Sequence, residues 1–202
     1  MLRNKRFYKN IRDKIIEIYQ DYGIRTFPVD EVDLCRKMGI VLVPYSSLKG
    51  EELALAYKRS QNGFYAPMTS ETPPMIYYND NLEEVMSYGR IRYTIFHEIK
   101  HFVFDDKEES EENEDGAQYF AKYFMCPIPY LVYNNKEFSS IESIRQGFGV
   151  SSQVAEYLLD SVERRMYRFG NGLFMREIEL LDSIYDRDFS PANYGMIFQF
   201  EE

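Results

Sequence analysis

The 202-residue sequence has no tryptophan, two histidines and two cysteines, and it carries fewer basic than acidic residues. Two cysteines, Cys35 and Cys126, are too few for a disulfide scaffold. No apolar h-region of a signal peptide opens the sequence, so the expectation is reduced thiols in a cytoplasmic protein. Cys35 falls on the apolar face of an expected helix and reads as a small core residue. No stretch approaches the roughly 18 apolar residues that a membrane-spanning helix needs, so no membrane partner is expected. The 24 Lys and Arg stand against 33 Asp and Glu, a net charge of −9. A general nucleic-acid binder needs a basic face to displace counterions, and direct nucleic-acid binding is therefore not expected. The one basic patch is local, in residues 1–14. Internal repeats, heptad runs and a clear linker are also missing.

What is present is enough for a globular core. Hydrophobic residues make up 45% and aromatics 16%, with 18 Tyr and 15 Phe. That much tyrosine suits broad, half-buried surfaces with polar tips. A chain of this length forms one domain, or one with a small appendage, and buries about 70% of the surface its unfolded form exposes. Periodicity predicts helices over 5–22 and 29–38, the second closed by Gly39, then a strand over 40–43 ended by Pro44. A turn-rich stretch follows. Strands are expected at 63–66 and 75–78, a long helix at 82–104, and another at 111–125 ending before Pro127. Three more helices are expected near 139–146, 151–167 and 173–184, with a strand at 196–200. The class is α+β.

The chemistry is concentrated in Tyr93-Thr94-Ile95-Phe96-His97-Glu98-Ile99-Lys100-His101. Residues four apart lie on one helical face, so His97 and His101 can present two imidazoles to one ion. Glu98 is one step round, able to reach a metal-bound water without ligating. Zinc lowers the pKa of such a water to about 7, and a neighbouring carboxylate can take its proton and pass it to the leaving amine. Ile95, Phe96, Ile99, Phe102 and Val103 are expected on the core side, and Lys100 is expected to face solvent. Arg90 and Thr94 share the histidine face.

A catalytic zinc site needs three protein ligands and an open position. No histidine remains, so the third ligand is a carboxylate or a cysteine. The next helix offers Glu111, Glu112, Glu114 and Asp115. Helical phase favours Glu114, because Ala117 and Ala121 lie on its face and allow close approach. The other acids read as a solvated helix N-terminus, which the helix dipole favours. Gln118, one turn beyond, is a candidate acceptor for the outer N–H of His97. Candidate donors to an oxyanion are Tyr65, Tyr77, Tyr78 and Arg90. The plainer reading of the whole motif is a helix with two solvated or packed histidines.

Residues 90–101, followed by Glu114-Asp115-Gly116-Ala117-Gln118-Tyr119-Phe120-Ala121 and Met125-Cys126-Pro127, resemble the ImmA/IrrE metallo-endopeptidases. Pro28-Val29-Asp30, Met38-Gly39-Ile40, Ile76-Tyr77-Tyr78-Asn79 and Phe148-Gly149-Val150-Ser151 fit the same resemblance, which spans roughly 28–165. It implies a compact gluzincin-like α+β fold with a small sheet, an active-site helix, a third-ligand helix and a C-terminal helical region. The expected organisation is a zincin-like domain over 1–135 with a helical extension over 136–202 packed on it, or one single domain. On that model one zinc ion sits on His97, His101 and Glu114, with Glu98 as base. The implied substrate is a separate helix-turn-helix repressor of a prophage, mobile element or stress response. Family members often have Gly at the place of Lys100, and Asn or Asp at that of Gln118.

Two other functions compete. One is a non-proteolytic, metal-dependent anti-repressor, using the same ligands with Glu98 dispensable. The other is a DNA-binding regulatory module, because residues 140–165 have a helix-turn-helix look. Its second helix carries Glu156, Asp160 and Glu163, which phosphates would repel, so it reads as a structural helix pair. The stretch 60–72 could be a flap beside the site, and Met75–Tyr78 could pair with an extended substrate, as edge strands do.

Overall fold

The computed structural model describes residues 2–85, 87–106, 110–187 and 197–198. The protein is mixed α+β, mostly helical, with a small three-stranded sheet. It divides into two compact units, one of residues 30–121 and one joining residues 1–29 to 122–202.

The 30–121 unit begins with α2 (Glu31–Met38), which follows α1 (Leu2–Tyr22) of the other unit. Asp30 caps α2, its carboxylate accepting from the Val32 and Asp33 N–H groups at 3.0 and 2.9 Å. Gly39 ends it with φ 73°, the left-handed conformation that glycine takes without a Cβ clash. Then come β1 (Val41–Pro44), α3 (Gly50–Arg59), β2 (Gly63–Ala66), β3 (Met75–Tyr78), α4 (Leu82–Val85) and α5 (Tyr88–Phe104). The strand order is β1-β3-β2, with β1 parallel and β2 antiparallel to β3. Met75–Tyr78 is thus the central strand, both of its edges paired. The edge strands of this sheet are β1 and β2.

Two further expectations about this unit are corrected. The stretch after Pro44 contains α3, which has Glu51 and Glu52 in its first turn and Lys58 and Arg59 in its last. That charge order complements the helix dipole. The helix expected over 82–104 is two helices. Ser87 caps α5, its hydroxyl accepting from the Arg90 N–H at 3.3 Å.

α5 packs against β2 and β3, and Ile91, Ile95, Phe96 and Ile99 of α5 are buried, as is Ile76 of β3. Side chains alternate along a strand. Gly63 and Tyr65 of β2 therefore share the face of Ile76 and Tyr78, while Phe64 and Tyr77 share the other, where their rings stack at 4.8 Å. Gly63 makes the packing close. A Cβ there would lie 2.7 Å from both Thr94 Cγ2 and the Tyr77 carbonyl oxygen. At the far end of α5, buried Arg92 bonds Glu31 of α2 at 2.8 Å, and Tyr88 donates to the same carboxylate at 2.7 Å. This anchors α5 against α2.

α6 (Glu111–Met125) begins in the 30–121 unit and ends in the other. That second unit holds α1, α7 (Ile128–Tyr133), α8 (Ile141–Phe148), α9 (Ser152–Phe169), β4 (Leu173–Phe174), α10 (Met175–Tyr185) and β5 (Ile197–Phe198), with β4 and β5 parallel. α7, absent from the sequence reading, starts directly after Pro127. Of the strand expected at 196–200, residues 196, 199 and 200 lie outside the described residues. Ile11, Ile15, Ile16 and Tyr19 of α1 are buried, and the Tyr19 hydroxyl donates to the Phe124 carbonyl at 2.6 Å. Phe27, Tyr130, Phe138 and Phe148 cluster at centroid distances of 4.7 to 6.1 Å. α8 and α9 turn on Gly149, and Ile144, Phe148, Val154, Ala155 and Leu158 bury their facing sides.

Candidate metal centre

The second half of α5 and the first turn of α6 supply the site, both within the 30–121 unit. His97 and His101 stand one turn apart, with ring centroids 5.2 Å from each other. Glu114 meets both. Its Oε2 is 3.2 Å from His97 Nε2 and its Oε1 is 3.4 Å from His101 Nε2. One ligand atom from each of the three lies within 4.8 Å of the others.

These separations test whether the residues fit a metal. Two atoms each about 2.05 Å from a tetrahedral zinc ion stand about 3.3 Å apart. The observed 3.2 and 3.4 Å lie near that value, each measured to a different oxygen of Glu114, and the shorter is also within hydrogen-bond reach. A plain ion pair is the competing explanation. For His97 it requires a charged imidazole, whereas burial, aided by His101 and Lys100, lowers the His97 pKa to about 4. A neutral imidazole offers a lone pair, as a metal ligand must. The imidazoles are mostly buried while the Glu114 side chain is 46% exposed, so the cluster opens to solvent on the carboxylate side.

Glu98 is buried next to this group, 8% exposed. Its Oε2 accepts the backbone N–H of Tyr65 at 2.8 Å. That bond comes from β2 and depends on the close seat of Gly63 against Thr94, one turn before Glu98. The arrangement joins two imidazoles and a carboxylate of metal-ligating type to a second carboxylate held by a main-chain donor.

A family model, the IrrE N-terminal-like domain of the Peptidase_M78 family, matches residues 35–160, well over half of the chain and all of this site. The chain belongs to the ImmA/IrrE metallopeptidase family. Comparison with curated proteins and with solved structures gives no significant match.

The other residues that the sequence singles out are more scattered in this ImmA/IrrE chain. Tyr65 turns its ring edge-on to Phe102 of α5, with centroids 6.0 Å apart. Tyr78 is on the same sheet face, its pKa raised by burial and by Asp80 and Glu31. Tyr77 stacks on Phe64 on the opposite face and contacts Met75 sulfur. Arg90 donates to the Asn62 side chain at 3.2 Å. Gln118 is exposed, as are Glu111, Glu112 and Asp115. Besides Glu114, the Asp106 carboxylate lies against an imidazole, its Oδ2 2.8 Å from His101 Nδ1. Lys100 does not face solvent. It is 1% exposed and its amine reaches Asp106 and Asn113. Phe102 and Val103 are half-buried, in contrast to Ile95, Phe96 and Ile99.

Sequence reasoning missed Asp106, Lys100 and Gly63. A signal existed for Asp106, the second residue after the helix and five beyond His101. None existed for Gly63, whose role depends on which strand lies against α5.

Proposed function

We propose that this metallopeptidase is a zinc-dependent endopeptidase with a zincin-like 30–121 unit. His97, His101 and Glu114 hold one zinc ion, and Glu98 is the general base. The observation that carries this reading is the convergence of both Nε2 atoms on the Glu114 carboxylate, at 3.2 and 3.4 Å, with one ligand atom of each residue within 4.8 Å of the others. When bound, zinc supplies Lewis acidity toward the scissile carbonyl and makes a water acidic enough to ionise near neutral pH.

The chain's own residues do the rest. Glu98 receives the proton of the attacking water and returns it to the leaving amine. The Tyr65 N–H holds one of its oxygens at 2.8 Å. Among the candidate oxyanion donors, Tyr65 has a supporting contact, since its own main chain touches the base. The substrate we propose is a specific cytoplasmic protein, a separate helix-turn-helix repressor, because the family resemblance implies one.

The test uses purified chain and the repressor encoded nearest to it. Wild type should bind about one equivalent of zinc, as a three-ligand site requires, and cut the repressor at a discrete bond. Glu98→Gln should keep the zinc and lose about 10²–10⁴-fold in cleavage rate. A repressor that is released from its operator yet remains intact with both proteins would replace the protease by the anti-repressor reading.

A further inference from the structure

The α5 C-terminus turns back on itself. Asp105 takes the left-handed conformation at φ 50°. The Asp106 N–H donates to the His101 carbonyl at 3.1 Å, and the Asp105 N–H to that of Phe102 at 3.3 Å. This double-bonded helix end is the Schellman motif, and asparagine or aspartate tolerates its left-handed position better than most side chains. The turn returns the Asp106 carboxylate to the helix it has just left, against His101 Nδ1. An imidazole that donates through Nδ1 keeps its Nε2 lone pair available. That Nε2 is the atom facing Glu114.

Lys100 completes the arrangement from below. Its buried amine reaches Asp106 Oδ2 at 2.5 Å, the Asn113 carbonyl at 3.0 Å and the Asn113 side-chain oxygen at 3.5 Å. An ammonium has three donors, and three acceptors surround this one. Asn113 immediately precedes Glu114. One side chain therefore grips both the carboxylate that orients His101 and the backbone that delivers Glu114. For stability alone, an apolar residue in a buried ion pair's place is often as good or better. A buried amine with partners on both ligand-bearing segments is explained by placement.

We propose that Asp106 and Lys100 are positioning residues for the metal ligands. Asp106 fixes the tautomer and ring plane of His101, and Lys100 holds Asp106 while bracing the start of α6 against α5. The role rests on the metal reading of His97, His101 and Glu114.

The first measurement needs no metal. Long-range ¹H–¹⁵N spectra of the metal-free wild-type chain should show His101 protonated at Nδ1 and bare at Nε2. The opposite tautomer overturns the proposal, whatever the variants do. The second is zinc affinity by competition with a chromophoric chelator. Asp106→Ala should weaken zinc binding about 10–100-fold, Asp106→Asn should recover part of the loss by restoring an acceptor oxygen, and Lys100→Met should shift affinity the same way. A folded Asp106→Ala chain that binds zinc as tightly as wild type overturns the positioning role and leaves the metal site standing. Wild type that takes up no zinc overturns both, and is told apart because it appears without any substitution.

Discussion

Burial, with the nearby His101 and Lys100 adding to it, holds the His97 imidazole neutral down to a pKa of about 4, against about 6.5 for an unperturbed histidine. Between those two values the unfolded chain binds a proton that the folded chain does not. Stability therefore rises with pH across that window and is lost as pH falls from 6.5 toward 4. The effect amounts to about 3 kcal/mol at most. In the metal-free chain, urea midpoints measured from pH 7 to pH 4 should decline, and His97→Asn should flatten the slope by about one proton. An unchanged slope would mean that His97 is not the buried neutral group described here. That His97, His101 and Glu114 come together was legible from the sequence, because helical phase puts the two imidazoles on one face of α5 and the small Ala117 and Ala121 let the Glu114 face of α6 approach. Asp106 and Lys100 were not. Their roles hang on a left-handed turn at Asp105, a residue that occupies that conformation less readily than glycine, and a lysine near a helix C-terminus is ordinarily solvated.

At the level of elements, the approach of β2 to α5 is the contact on which the base depends. Gly63 lies where a Cβ would press on Thr94 Cγ2 and on the Tyr77 carbonyl, each at 2.7 Å. Gly63→Ala must move the strand or the helix, at a cost of about 1–3 kcal/mol for overpacking. Since Tyr65 is two residues on and its N–H holds Glu98, displacement of β2 should lower cleavage more than zinc uptake. Equal losses of both would point to general unfolding of the unit instead. The helices with strong apolar periodicity were readable in advance, as the coincidence of α6 with 111–125 illustrates. α3 was not, because its window from Gly50 to Arg59 has one buried residue, Ala56, and so gives no core stripe to detect. The break between α4 and α5 was hidden by apolar spacing that runs on past Ser87.

For the molecule as a whole, the partition of the chain has a thermodynamic consequence. Nothing in a linear pattern reports that residues 1–29 group with 122–202, because that grouping comes from long-range pairs such as Tyr19 with Phe124 and Arg25 with Asp186. The three candidate ligands fall inside the contiguous 30–121 unit. A ligand that binds only the folded form stabilises it by about 2.7 kcal/mol when present at 100 times its Kd. Openings that break the His97–His101–Glu114 cluster must forfeit that free energy, while openings that leave the cluster intact need not. Hydrogen exchange with and without zinc should therefore slow most in peptides covering α5 and the first turn of α6, with little change in α8, α9 and α10. Equal slowing in both sets would mean that the chain opens as one cooperative body and that the two units are not separate in energy. Slowing confined to α8–α10 would move the metal away from His97, His101 and Glu114 altogether.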